Sequence, residues 1–382
     1  MMIIILFFIG VKNTGTAVGQ SKDNSPGYTV ACYYYPNYHT GSPNNVKKYG
    51  EKWSEWEEVK KAKPFFPGHQ QPLVPLLGYT NEADPKVMEQ KIALAAKYGI
   101  DAFIFDWYYW ENGPNLQEAL EQGYLKAKNV EQVKFAIMWA NADLTPQTFD
   151  KMTDYIIEKY FKHPAYWKID GCPYFSIYDL SLFHKGCGTA EATKEALDKF
   201  RMKVKKAGFP DLHFNIVLNG LPVKPGTTLG YNTAGFPVFL NANSITEYSW
   251  VQNIPPNTFP VTPYSAVADE YFNQFCPAVS AQFSILHYPH VTMGWDPSPR
   301  CGEAKLGKNK PYPCTSIIQG NTPAAFGNAL LQIKKKIEDR PSSKRIFTIN
   351  CWNEWTEGSH LEPDTRYKYQ YLEQIRSVFG RK

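Results

Sequence analysis

Charge is the first thing in short supply. Of 382 residues, 20% are charged, against about 25% in an average soluble domain. Forty-one basic residues face 36 acidic ones, a net charge of +5. So mild and scattered a balance excludes the basic stripe of a nucleic-acid surface, and nucleic acid is not an expected partner. A glycine-rich phosphate turn is missing too: the first β-rich run passes straight into Tyr33-Tyr-Tyr-Pro-Asn-Tyr38, which argues against a doubly wound nucleotide fold. None of the seven cysteines stands in a Cys-x-x-Cys or Cys/His zinc spacing, so neither metal nor organic cofactor is expected. The apolar run at the start, Ile3–Ile9, is far shorter than the roughly 20 residues of a membrane-spanning helix. With 43% apolar residues, 26 Gly and 29 Pro, disorder and collagen-like structure are also excluded.

Ile3–Ile9 is followed by Thr14-Gly-Thr-Ala-Val-Gly19, with Ala17 and Gly19 at the small-x-small positions before Gln20. Although no basic residue precedes the apolar run, this is the pattern of a secretory signal peptide. Residues 1–19 are therefore expected to be a leader, and residues 20–382 one catalytic domain that is exported, periplasmic or extracellular, without a membrane span. Cys172/Cys187 and Cys301/Cys314 lie in loop-like stretches at spacings that allow small disulfides. Cys32 and Cys351 sit in apolar runs and read as buried thiols.

What the sequence has in excess is aromatic: 25 Tyr, 23 Phe and 10 Trp. Phe fills large cores, whereas Tyr and Trp carry polar tips and suit surfaces that stack on sugar rings. From residue 25 onward, β-rich runs alternate with amphipathic ones. Strands are expected at Tyr28–Tyr35, Ala102–Tyr109, Lys134–Ala140, Pro173–Tyr178, Phe214–Leu218, Ser244–Trp250, Ser284–Met293 and Arg345–Trp352. Helices are expected at Val87–Tyr98, Asn115–Lys128, Pro146–Lys162, Ala190–Ala207, Tyr264–Val279, Pro323–Ile337 and Tyr367–Phe379. Eight such repeats predict a single-domain α/β fold, a (β/α)8 TIM barrel with long βα-loop insertions, the longest over 39–83. Residues 221–235 read as irregular.

In such a barrel chemistry sits where the strands end. Those ends offer Tyr33 and Tyr35; Asp106, Trp107 and Tyr108; Trp139 and Asn141; Glu247 and Tyr248; and Trp295. Aromatic faces beside carboxylates and amides describe a carbohydrate cleft, and these residues are the expected substrate contacts. A duller role stands beside each. A strand-end tyrosine more often packs on a neighbouring loop, and Asp106 fits a helix cap. His163 and His213 read as surface or helix-edge residues.

The densest cluster ends the eighth strand: Asn350-Cys-Trp-Asn-Glu-Trp-Thr-Glu-Gly-Ser-His-Leu-Glu-Pro363. Two glutamates three residues apart, beside Trp352 and Trp355, oppose each other's ionisation, so one should stay protonated at neutral pH. A proton donor beside an ionised partner is what glycoside cleavage requires. Glu354 and Glu357 are therefore the expected catalytic pair, with Asn353 and Trp355 as substrate contacts. The competing reading makes them structural partners of Arg300 or Lys305.

Asn353-Glu-Trp-x-Glu-Gly-x-x-Leu-Glu-Pro363 resembles the signature of glycoside hydrolase family 99 and of the related WbsX-type proteins. The resemblance to the WbsX type extends through the Tyr-rich first strand, Trp53-Ser-Glu-Trp56, Lys63-Pro-Phe-Phe-Pro-Gly-His-Gln-Gln-Pro72, Tyr98-Gly-Ile-Asp-Ala-Phe-Ile-Phe-Asp-Trp-Tyr108 and Tyr369-Gln-Tyr-Leu372. It implies a retaining (β/α)8 hydrolase acting on α-linked, mannose-containing glycans. In that family the first glutamate, here Glu354, acts as base on the sugar's own 2-hydroxyl. The second, here Glu357, is the acid/base. The His69-Gln70-Gln71 loop adds His69 and Gln70 as substrate contacts, while Thr356 and Ser359 depart from the hydrolases of established activity. Two other readings stand beside an oligo- or polysaccharide hydrolase: a glycosyltransferase of polysaccharide synthesis, and a glycan-binding barrel without activity.

Overall fold

The computed structural model describes residues 27–141, 144–219, 235–307 and 310–380. Its centre is a ring of parallel strands: β1 (Thr29–Tyr34), β2 (Ala102–Trp110), β3 (Lys134–Trp139), β4 (Cys172–Ile177), β5 (His213–Val217), β6 (Ser244–Thr246), β7 (Leu286–His287 with His290–Thr292) and β8 (Ile346–Asn350). Each strand from β1 to β6 pairs with the next, and β1 also pairs with β8. The first half of β7 pairs with β6, in the register Leu286 to Ser244, and its second half pairs with β8, His290 to Thr348. Because those halves are consecutive in the chain, the sheet closes on itself. Pro289 splits β7, since it has no N–H for the ladder. The split is bridged by Tyr288 N donating to Ile245 O at 2.9 Å and Thr348 N donating to Pro289 O at 3.0 Å. The (β/α)8 barrel expected from the alternation is the fold found.

The crossover helices begin where the sequence supplies caps. Asp84 accepts from Lys86 N ahead of Pro85–Tyr98, which Gly99 ends in the left-handed conformation. Thr145 caps Pro146–Ile156, Thr189 caps Ala190–Lys206 and Thr322 caps Pro323–Ile337. Such caps satisfy amide groups that the first turn leaves without partners. Two expectations need correction. In place of the helix expected over 115–128 stand a π-helical turn, Ala119–Gly123, and a 3-10 turn, Tyr124–Lys126, and Asn115, its expected first residue, belongs to the short strand Gly113–Asn115 that folds back on β2. The sixth strand stops at Thr246, and Trp250 opens a short helix whose first N–H is taken by Thr292 Oγ1 at 2.9 Å. The leader expected over 1–19 and the irregular stretch over 221–235 lie outside the described residues, apart from Gly235.

Between the sheet and the helices lies an aromatic layer. Phe103, Phe105 and Phe135 pack around Tyr124, and Phe149, Phe183 and Trp139 pack together. Much of the Phe excess is accounted for there. The barrel interior is polar by contrast. Ser176, Asn215 and Ser244 form a hydrogen-bonded row, and Thr246, Thr348 and His290 form another. His213, expected at a helix edge, stands in that interior against Ser244 Oγ. Burial, with Arg201 nearby, pushes its pKa down to about 4, so it is neutral. Of the two cysteine pairs, Cys301–Cys314 is bonded, with Cα atoms 5.7 Å apart, whereas Cys172 and Cys187 are free thiols. Cys32 and Cys351 are buried, as expected. Among the described residues no helix is long and apolar enough to cross a membrane.

Candidate active site

Side chains alternate between the two faces of a strand, and this sorts the strand-end residues. Asp106 and Tyr248 turn into the barrel mouth, where the Tyr248 hydroxyl stands 2.7 Å from Asp106 Oδ2 and also bonds Glu354 Oε2. Tyr33 packs its ring 4.9 Å from that of Tyr248, and Tyr178 lies edge-on at 5.5 Å. Tyr35 and Tyr108 complete the aromatic rim. Burial and the carboxylates around them, Glu55 foremost for Tyr35, raise both phenols above their ordinary range.

The intervening positions point the other way, so three expected substrate contacts are corrected. Trp107 donates its indole N–H to Tyr160 in the helix layer at 3.0 Å. Trp139 is fully buried against Phe149 and Phe183. Glu247 is held on the outer face by His287 and Tyr271, at 2.8 and 2.9 Å. Each is one residue from a barrel-facing position, and that offset moves a side chain from the mouth to the core.

The loop after β8 carries the two glutamates. A single guanidinium gathers them: Arg300 Nη1 lies 2.5 Å from Glu357 Oε1, and Nη2 lies 3.4 Å from Glu354 Oε1 and 3.5 Å from Glu55 Oε1. The Tyr312 hydroxyl approaches the other oxygen of Glu357, at 3.4 Å. The pairing with Arg300 is therefore real, but it does not retire the two glutamates as structural. Three buried carboxyl groups, Glu55, Glu354 and Glu357, share one half-buried guanidinium, with Asp106 beside Glu354 through Tyr248, so ionising all four would leave uncompensated charge in the site. Burial and the Glu354 carboxylate push Glu357 up to about 8. Glu354 is also raised by burial, against which Arg300 and Tyr248 pull it back. Asp106 is driven far upward by burial and by Glu354. Thus Glu357 and Asp106 hold protons at neutral pH more readily than Glu354 does.

Other expected residues act one layer further out. The Asn353 amide clasps the Tyr35 backbone through both its N–H and its C=O, at 2.8 Å each, and reaches Glu82 at 2.9 Å. Trp355 gives its indole N–H to Glu362 at 3.0 Å. Glu82 and Glu362 meet on the buried ammonium of Lys91, at 2.5 and 2.7 Å. The residues on either side of Glu354 are therefore pinned by one ion cluster, and neither Asn353 nor Trp355 is free to face a ligand. Asn141 ties the loop after β3 to the loop after β4 through Asp179, at 2.7 and 2.8 Å. His69 and Gln71 both hold Asp296 Oδ2, at 2.8 and 2.7 Å, and Asp296 N donates to Glu357 O at 2.7 Å. That close approach needs Gly358, whose φ is +63° and where a Cβ would stand 2.7 Å from Asp296. Gln70 is exposed with its amide N–H on Gly68 O, and Trp295 is buried with its indole N–H on Thr315. Neither joins the glutamates. Two residues join the site that the sequence reading does not include, Glu55 and Tyr312. Glu55 lies inside the Trp53–Trp56 motif, which is the signal for it, whereas nothing in the sequence around Tyr312 marks it.

The geometry can be set beside known proteins. The family model described as glycosyltransferase WbsX matches residues 30–375. The chain belongs to the WbsX family. A curated relative from Xanthomonas campestris pv. campestris, the uncharacterized protein WxcX, is 27% identical over 374 residues, covering 92% of this chain and 50% of that protein. The same protein from a second strain matches equally. The WbsX chain thus spans about half the length of the curated relatives it matches. Among solved structures, the GH99 endo-α-mannosidase of Bacteroides thetaiotaomicron aligns over 92% of this chain and 95% of its own, with TM-score 0.52 and 17% identity. Its complex with bis-tris propane aligns over 92% and 96%, with TM-score 0.56 and 18% identity. A glycoside hydrolase-like protein aligns over 93% and 94%, with TM-score 0.56 and 15% identity. At these identities what is shared is the fold, a GH99-like barrel.

Proposed function

We propose that this WbsX-family protein is a retaining glycoside hydrolase that cleaves α-linked, mannose-containing glycans at the Glu354/Glu357 pair. One observation carries the reading: two buried carboxyls on one loop share the Arg300 guanidinium and each takes a tyrosine hydroxyl, Tyr248 on Glu354 and Tyr312 on Glu357; with it goes a split in proton affinity, Glu357 raised to about 8 while Arg300 and Tyr248 restrain Glu354. Such a split assigns acid and base. Glu354 takes the proton of the sugar's 2-hydroxyl, whose oxygen attacks the anomeric carbon. The bond to the leaving oxygen breaks as Glu357 protonates it, leaving a 1,2-anhydro sugar. Glu357 then deprotonates water, which adds to the anomeric carbon, and the 2-oxygen recovers its proton from Glu354. Two inversions give net retention. Tyr35, Tyr108 and Asp106 at the mouth suit a hydroxylated ring, while Tyr33 lies fully buried beneath them with its hydroxyl on Glu247 O, and the name endo-α-mannosidase borne by the aligned Bacteroides enzyme supports mannose.

Export is part of the proposal, and the Cys301–Cys314 disulfide supports it, since such bonds persist in oxidising compartments. The test is a screen against purified polysaccharides, with the anomer of the first product followed by NMR. Retained configuration that is lost in Glu357→Ala is expected; cleavage unchanged in that variant overturns the assignment. The family description favours a second reading, transfer from a nucleotide-sugar. A rise in melting temperature with nucleotide-sugars, together with no hydrolysis across the screen, would establish it.

A further inference from the structure

Resting on Glu357 as the acid, we propose that the Cys301–Cys314 disulfide and two residues flanking it, Arg300 next to Cys301 and Tyr312 two before Cys314, form a positioning clamp on the Glu357 carboxyl. The bond closes a loop of sequence separation 13. Arg300 immediately precedes its first cysteine, on the helical turn Ser298–Cys301, and Tyr312 lies two residues before its second. These two side chains are the donors on Glu357, one to each carboxylate oxygen. The bond therefore joins the bases of both donors at a Cα separation of 5.7 Å. Trp295 braces the same loop, with its ring 5.2 Å from Tyr312 and its indole N–H on Thr315. Arg300 is braced from the far side by Glu55 and by Thr356 Oγ1 at 2.9 Å.

The consequence is electrostatic. The groups facing Glu357 are Arg300 and Tyr312 on the clamp, Glu354 on its own loop, Glu55 on the β1–β2 connection, Asp106 on β2 and Tyr178 after β4. Burial and the carboxylates of Glu354 and Glu55 raise Glu357, and the clamp supplies the cation and the phenol that lower it. Both clamp donors favour the ionised form, so the protonated acid exists at the expense of these contacts, and a leaving-group oxygen must take the place of one of them. Loosening the clamp should raise the proton affinity of Glu357 and move the alkaline limb of any pH–rate profile upward.

The experiment titrates Glu357 itself, by 13C NMR of protein labelled at the glutamate carboxyl, with Glu357→Gln for assignment. Arg300→Gln is expected to raise the Glu357 midpoint by about one pH unit or more, the range for loss of an adjacent opposite charge. Cys301→Ser/Cys314→Ser should raise it in the same direction by a few tenths of a pH unit. Folded wild-type protein, reduced with a phosphine and alkylated, should match that double variant and serves if the double variant does not fold. A lower melting temperature with an unmoved midpoint makes the disulfide a mere staple and overturns the proposal, as does an unmoved midpoint in Arg300→Gln. No substrate is used, so a raised midpoint without any hydrolysis leaves the clamp standing and counts against the hydrolase reading alone.

Discussion

The hydroxyl of Tyr248 stands 2.7 Å from Asp106 Oδ2 while also bonding Glu354. A phenol has one proton to give, so two carboxylates cannot both accept it. One of them must bring its own, and Asp106, driven furthest upward by burial and Glu354, is that one. Protonated Asp106 then donates to the phenol oxygen, and the phenol donates to Glu354, keeping the proposed base ionised.

Tyr248→Phe removes that donor. Because the Tyr248 hydrogen bond lowers the pKa of Glu354, its loss raises it, and a base must be ionised to work. The acidic limb of kcat/KM should therefore move to higher pH. At any fixed pH below the limb, activity should fall about tenfold for every pH unit that the limb moves. An acidic limb that stays in place contradicts the relay.

Glu357→Gln separates chemistry from folding. Loss of a general acid costs about 10²- to 10⁴-fold in kcat, and the variant should bind oligosaccharide with little change, as read by calorimetry beside the activity assay.

The same residue leaves a mark on stability. A carboxyl whose folded pKa is about 8 binds its proton more tightly in the folded chain than in the unfolded one. Its contribution is therefore complete below the unfolded value near 4.5 and is lost as pH rises toward 8. Glu82, raised to about 7 by burial, acts in the same direction. Urea melts of Glu357→Gln and wild type should agree most closely at about pH 4 and diverge in favour of the variant toward pH 8. Parallel pH profiles would contradict the raised value.

Lys91 is a buried cation between Glu82 and Glu362. Lys91→Met leaves both carboxyls without a counter-charge and should destabilise the fold by about 3–5 kcal/mol, measured by denaturant unfolding. Through Asn353 and Trp355 it should also lower kcat more than it raises KM.

Trp107→Phe and Trp139→Phe test the sorting of the strand ends. Both rings lie in the helix layer, so stability should fall by about 1–3 kcal/mol with KM unchanged, whereas Tyr108→Ala should raise KM.

The sequence alone determined the architecture. Eight alternations between period-two and period-3.6 patterns leave a closed parallel barrel as the economical fold, and the strand limits of β1 to β5 and β8 lie within two residues of those expected. It also located Glu354 and Glu357, because two carboxylates at the end of an apolar strand are costly without a purpose. The tertiary structure decided which neighbours share the mouth with them. A one-residue offset along a strand exchanges barrel for core, so Asp106 and Tyr248 enter while Trp107 and Glu247 do not. It also brought in Arg300 and Glu55, 245 positions apart in the chain and joined on one guanidinium, a meeting that no local pattern encodes. The proton affinities of the two glutamates depend on that meeting, since burial and the charges a few ångströms away, and not residue type, set them.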